Sequence, residues 1–202
     1  MSTKAEKTKQ FIIEKTASLF NTKGYTSTSL SDITEATGLT KGSIYGNFEN
    51  KDAVALEVYK YNSDLLGKSM SRSLGKAFPT SIDKLYAFVN FYRKSWKVVF
   101  DTGGCPLMNA ATEADDKFPT LKKRVTESFE GWIKNITEVI IQGQKNGEIH
   151  ENVNADEFGS LFIMLVEGGI LLSKTTGDEK YLNLALDRIL LIIDKELKLL
   201  PS

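Results

Sequence analysis

Between Gly24 and Lys51 the chain places a helix start, a helix stop and a second helix start in quick succession. Ser29 precedes an apolar residue and stands three positions before Asp32, so each side chain can reach an orphan backbone N–H of a helix beginning near Leu30. Ile33 and Ala36 fall on one inward face, and Gly38 supplies a left-handed residue that ends a helix without a Cβ penalty. Thr40 is the next N-cap. Behind it Ile44 and Phe48 form an apolar i, i+4 pair, leaving Lys41, Ser43, Tyr45 and Asn47 to point outward. Two short helices about a turn at Gly38 and Leu39 make a helix-turn-helix pattern, which implies DNA binding; the same pattern also occurs in bundles that bind none.

In a helix-turn-helix the second helix lies in the major groove with its N-terminal residues at the base edges. Lys41, Gly42 and Ser43 are therefore expected to read sequence, with lysine favouring guanine acceptors. Gly42 on an exposed face costs roughly 1 kcal/mol of helix propensity against alanine. That cost makes sense where a backbone must approach DNA closely, and is the cost of a mere turn residue otherwise. Thr28, Ser29 and Ser31 at the start of the first helix, the Tyr45 hydroxyl and the Lys51 charge suit phosphates, which fix register without carrying sequence. Thr40, Gly46 and Asn47 complete the candidate DNA-binding set.

The stretch from Ile12 to Val58, carried by Phe20, Gly24-Tyr25, Ser29, Asp32-Ile33, Ala36, Gly38, Lys41-Gly42-Ser43-Ile44-Tyr45, Phe48 and Asn50-Lys51, resembles the TetR family of one-component transcriptional regulators. The resemblance implies an all-α chain, with a three-helix helix-turn-helix domain over residues 1–50 joined to a larger helical effector-binding and dimerisation domain over 51–202. It further implies a ligand-responsive repressor that binds a palindromic operator in double-stranded DNA as a homodimer and is released by a small-molecule effector, activation being the other output. Two departures from the family stand out. Gly46 and Asn47 stand where an aromatic residue and a histidine are common, so the aromatic backbone contact is lost and Asn47 is left to bond adenine or a phosphate. Thr34 replaces the usual alanine after the isoleucine.

A length of 202 residues, 41% hydrophobic content and only 4 prolines suit a soluble helical protein of one or two domains. The longest apolar run, Leu161 to Val166, stops at Glu167, too short to span a bilayer, and Met1-Ser-Thr-Lys lacks the apolar region of a signal peptide. The expected location is the cytoplasm, with no membrane partner. Cys105 alone cannot form an internal disulfide, and His150 alone cannot build a metal site; no cofactor is expected. A net charge of zero weighs against a strongly basic DNA binder. Residues 1–51, however, hold seven lysines against five acids, a local surplus that dimerisation would double. Lys4, Lys7 and Lys9 form either a mobile basic arm or a merely solvated terminus.

Past Asn50, which caps a longer helix, Ala53, Val54, Leu56, Val58, Tyr61, Leu65 and Leu66 recur at helical spacing. Gly75 to Ser81, with Pro79, breaks it. Ile82, Leu85, Phe88, Val89 and Tyr92 mark the next helix, which ends near Asp101. A short helix over Leu107 to Ala114 and a long one over Leu121 to Gln144 follow, with Pro119 in the first turn of the latter and Asn146-Gly147 at its end. No strand periodicity is found. Phe158, Leu161, Phe162, Leu165, Val166, Ile170 and Leu171 wrap so much of a helix that both its sides must be buried, and Gly168-Gly169 would let a neighbouring backbone come close. Leu182, Leu186, Ile189, Leu190, Ile193, Leu197 and Leu200 repeat the pattern in the terminal helix. These last two helices are expected either to pair with their symmetry mates as a four-helix dimer interface or to bury their faces within a monomeric bundle.

Aromatic and methionine residues between these elements suggest an apolar effector pocket, though many will simply be core. The candidate ligand-binding set is Phe91, Trp96, Phe100, Cys105, Met108, Asn109, Trp132, Phe162 and Glu167, with Phe118, Phe129 and Met164 nearby in composition and Glu113, Asn109 or Glu167 as polar anchors. Cys105, between Gly103-Gly104 and Pro106, stands at a helix start, where backbone N–H groups stabilise a thiolate. The segment from Gly104 to Ala114 is similar to one in TetR-family members that respond to electrophiles, and Lys174 is a conceivable cationic partner; the other reading of Cys105 is a small apolar core residue. Asp115-Asp116 with Glu113 is acidic but lacks a matching base, nucleophile or phosphate loop, so no enzyme is expected. A third reading is a helical adaptor that binds protein and shows no salt-sensitive DNA affinity.

Overall fold

A computed structural model describes residues 3–114 and 118–199. Asp115-Asp116 and Leu200, both named above, lie outside the described residues. Among those described, the secondary structure is helical except for one isolated antiparallel bridge between Ile149 and Lys198. The helices are α1 (Lys4–Lys23), α2 (Leu30–Thr37), α3 (Lys41–Tyr45), α4 (Lys51–Leu74), α5 (Ser81–Asp101), α6 (Pro106–Glu113), α7 (Pro119–Lys145), α8 (Ala155–Thr176) and α9 (Lys180–Ile192), the last continued by a π-helical turn over Ile193–Leu197. Most expected boundaries hold to within a residue or two, because they rest on caps and breakers that act locally; α3, however, ends at Tyr45, short of Phe48.

The chain forms two compact units, Met1–Gly67 with Thr102–Thr126, and Lys68–Asp101 with Glu127–Ser202. This differs from a division after residue 50. Most of α4 (as far as Gly67), all of α6 and the start of α7 join the N-terminal helices, since contacts between residues far apart in sequence decide compactness and leave no mark in local composition.

In the first unit Ile12, Ile13, Ala17 and Phe20 line the buried face of α1, and Ile33, Ile44, Phe48, Val54, Ala55 and Val58 are buried on the helices that follow. Tyr25 links them: its ring lies 5.7 Å from Phe20 and 6.2 Å edge-on to Tyr59. Burial of this aliphatic and aromatic set stabilises the unit by roughly 25 cal/mol for each Å² of apolar surface withdrawn from water. Lys4, Lys7 and Lys9 do not form a loose arm. Thr3 and Glu6 cap each other's backbone N–H groups, so α1 begins at Lys4.

In the second unit Phe88 stacks on Phe162 at 6.4 Å and meets Tyr92 edge-on at 5.1 Å, joining α5 to α8. The Gly169 backbone sits so close to α9 that a Cβ would stand 2.9 Å from the Leu182 Cα, as the glycine pair suggested. The Ser173 hydroxyl also accepts from the Leu182 N–H at 2.9 Å. Outside this contact Arg93 pairs with Asp187 at 2.6 Å, and the Tyr86 hydroxyl donates to Asp194. Burial and that bond push the Tyr86 phenol up to about 12. Leu182, Leu186, Ile189, Ile193 and Leu197 are buried in this unit's own core, the second of the two arrangements open to them from sequence. Leu171, expected among the buried residues of α8, is exposed in this chain, as are Met164 and Leu172 on α8 and Leu184 and Leu191 on α9, Met164 and Leu184 at 63% each.

Candidate nucleic-acid interface

The helix-turn-helix is assembled by three local devices. Ser29 and Asp32 satisfy each other's N–H groups, and the Asp32 carboxylate also accepts from the Ser29 hydroxyl and pairs with Lys23 at 2.5 Å. The lysine hydrogen bond first, and the Ser29 bonds after it, lower the Asp32 carboxyl from 3.8 to about 2. Gly38 closes α2 in the left-handed region at φ 69°, returning its N–H to the Thr34 carbonyl. Thr40 opens α3 by accepting from the Ser43 N–H at 3.2 Å. A five-residue helix has little intrinsic stability. It is held here by this cap, by the burial of Ile44 and Phe48, and by Asn47, whose side-chain N–H donates to the Ser43 carbonyl at 2.9 Å.

The candidate DNA residues therefore separate into two groups. Lys41, Gly42, Tyr45 and Gly46 are exposed and Ser43 partly so; together they form the outer face of α3, with Ser31 exposed on α2. A Cβ on Gly42 would meet nothing nearer than the Thr40 hydroxyl at 3.9 Å, so the fold itself does not require glycine there. The second group is turned to internal work. Thr28 is fully buried, and its hydroxyl donates to the Gly24 carbonyl at 2.6 Å, which removes it from any phosphate. Lys51 donates to the carbonyls of Tyr25 and Thr26, at 3.3 and 2.9 Å, while Ser29, Thr40 and Asn47 serve as caps. Spacing alone could not separate these groups, because a hydroxyl that caps and a hydroxyl that waits for phosphate are the same residue type.

The nine candidate ligand residues fall in both units. Cys105, Met108 and Asn109 belong to the first; Phe91, Trp96, Phe100, Trp132, Phe162 and Glu167 belong to the second. In the second, Trp96 meets Phe100 edge-on at 5.4 Å, and Phe91 joins Phe162 through Tyr92 and Phe88, two links the candidate set omits. Phe162 and Glu167 are buried and Trp132 half-buried. In the first, Cys105 is the buried N-cap residue of α6. The Asn109 amide donates to the Asn21 carbonyl, the Asn21 side-chain oxygen and the Gly103 carbonyl, which commits it to structure rather than to a ligand. Glu113 is likewise committed, to the turn after α1. Among the described residues no group of His, Cys, Asp and Glu could hold a metal ion, and no helix is long and apolar enough to cross a membrane.

Known proteins share both halves of this arrangement. Residues 12–58 match the family profile described as bacterial regulatory proteins, tetR family, and residues 81–189 match the tetracyclin repressor-like C-terminal domain. The HTH-type transcriptional repressor DhaR of Mycobacterium sp. (strain GP1) is 27% identical over 96% of this chain and 93% of its own length. The crystal structure of a TetR family transcriptional regulator from Cytophaga hutchinsonii superposes with a TM-score of 0.92 at 36% identity, covering all of both chains. One from Chloroflexus aurantiacus J-10-FL gives 0.91 at 31% identity, covering 98% of this chain and 99% of that one. The chain belongs to the TetR family and is a DNA-binding transcriptional regulator.

Proposed function

We propose that this regulator is a homodimeric repressor that binds a palindromic operator through α3 and is released when a small apolar effector enters its C-terminal unit. The observation that carries the reading is the outer face of α3, where Lys41 and Tyr45 stand exposed and Ser43 partly so, beside a glycine the fold does not require. A lysine at the start of a groove-entering helix favours guanine, a tyrosine hydroxyl suits a phosphate, and the missing Cβ at position 42 admits the DNA backbone. Ser31 is the further phosphate candidate.

Dimerisation through the last two helices is supported by Met164, Leu171, Leu172, Leu184 and Leu191, which keep an apolar surface on α8 and α9 after the internal core is full. Exposed apolar surface of that extent on two packed helices marks an interaction site. A two-fold pair presents two copies of α3, and a palindrome read by two such helices needs them about 34 Å apart. For the effector, the aromatic chain from Phe162 through Phe88 and Tyr92 to Phe91, with Trp96, Phe100 and Trp132, supports an apolar ligand. DNA and effector would then oppose each other by the same factor in both directions. No catalytic role is proposed.

The test is a mobility shift with duplex DNA flanking the chain's own gene, run across a salt series with the wild type and Lys41→Ala. A specific, salt-sensitive shift that weakens in the variant supports the reading. No specific shift with any duplex would end it.

A further inference from the structure

The link between α1 and α2 is gripped from outside the helix-turn-helix. Gly24, Tyr25 and Thr26 turn the chain from one helix toward the next, and three donors of this turn converge on one carboxylate 87 to 88 residues later. Glu113 accepts from the Tyr25 N–H at 3.0 Å, the Thr26 N–H at 2.8 Å and the Thr26 hydroxyl at 2.6 Å. On the carbonyl side the Lys51 ammonium donates to the carbonyls of Tyr25 and Thr26. Gly24 lies at φ 103°, and a Cβ there would stand 2.6 Å from the Glu113 carboxylate, so the turn is shaped around this side chain. The other end of α6 is fastened to α1 as well: Asn21 donates to the carbonyls of Thr102 and Gly104, and Asn109 donates back to Asn21.

We propose that Glu113 is the positioning residue of the DNA-reading head: its carboxylate holds the α1–α2 turn in the pose that aims α2 and α3 at DNA, and a displacement of α6 loosens that pose. The inference rests on the DNA-binding reading and adds to it a residue well outside the helix-turn-helix. Hydrogen bonds to an ionised acceptor are about twice as strong as neutral ones, so three on a single carboxylate fix a turn that would otherwise sample many conformations. The residue touches no DNA, and its effect passes through the turn.

Duplexes enriched by the wild-type chain from a randomised library provide the probe. Glu113→Gln keeps the size but presents an NH₂ to N–H donors, and Glu113→Asp keeps the charge on an arm one methylene shorter. Each should bind the enriched duplex about ten-fold more weakly, the scale of one lost charge-assisted bond. The assay temperature is set where unfolding curves show both variants folded. Amide exchange at Tyr25 and Thr26 should accelerate by a similar factor while that of α5 stays unchanged. A purely structural role would lower the unfolding midpoint yet leave the affinity of folded molecules at the wild-type value, and that result overturns the proposal. Should the Glu113 variants fail to fold, Thr26→Val removes one donor alone, and wild-type affinity there overturns it equally. If the wild type enriches no duplex, the DNA-binding reading falls and this proposal with it; a failed latch is distinguished by intact wild-type binding.

Discussion

A glycine, an aspartate and a glutamate carry the argument at the scale of single residues. Gly42 stands on an exposed helical position with open space where a Cβ would go. Gly42→Ala should therefore leave the melting temperature unchanged or raise it, since alanine is the better helix former by about 1 kcal/mol. Operator affinity should nevertheless fall about ten-fold, as a methyl group worth a kilocalorie or more is pressed against the DNA; thermal melts and fluorescence anisotropy on the same sample check both. Asp32 gives a pH prediction. Its folded carboxyl titrates at about 2, against 3.8 when unfolded, so its contribution to the α2 cap is complete above pH 3.8 and is lost as the pH falls from there toward 2. A carboxyl chemical-shift titration should show that midpoint, and a midpoint near 3.8 would mean that the Lys23 and Ser29 bonds do not hold in solution. Ser29, Asp32, Gly38 and Thr40 were legible from sequence because each acts within three or four residues of itself. Thr28 and Glu113 were not, since burial and an 87-residue separation leave no local signature.

Among the elements, α3 is the least self-sufficient and the most exposed to a single cap. Thr40→Ala removes the acceptor for the Ser43 N–H and should cost about 1 kcal/mol, read as a lowered unfolding midpoint with faster amide exchange across Ser43 and Ile44. An unchanged midpoint would show that Ile44 and Phe48 hold α3 unaided. The terminal helices teach a different lesson. Their apolar pattern marked α8 and α9 as wide apolar stripes, but periodicity could not say which leucines face the chain's own core and which stay exposed. Leu182, Leu186 and Ile189 go inward because Gly169 lets α9 close onto α8, and that close approach rotates Leu184 and Leu191 outward. A one-dimensional pattern contains the amphipathic stripe and not the crossing geometry that divides it.

At the scale of the whole molecule, the proposed function requires two chains. The N-terminal surplus of positive charge is small, and Lys23 and Lys51 spend theirs within the fold. One copy would hold DNA by few phosphate contacts, and two copies on a palindrome multiply them. Met164→Glu with Leu184→Glu should convert a dimer to a monomer in sedimentation velocity without altering the helical content. The same variant should lose specific operator binding, whereas a dimer that persists would move the interface elsewhere. The central claim, that α3 reads DNA sequence, is tested most directly by enriching duplexes from a randomised library with the wild type and with Lys41→Ala side by side. The account predicts a palindromic consensus for the wild type and a relaxed preference at one symmetric pair of guanines for the variant. An identical consensus and affinity from both proteins would contradict it.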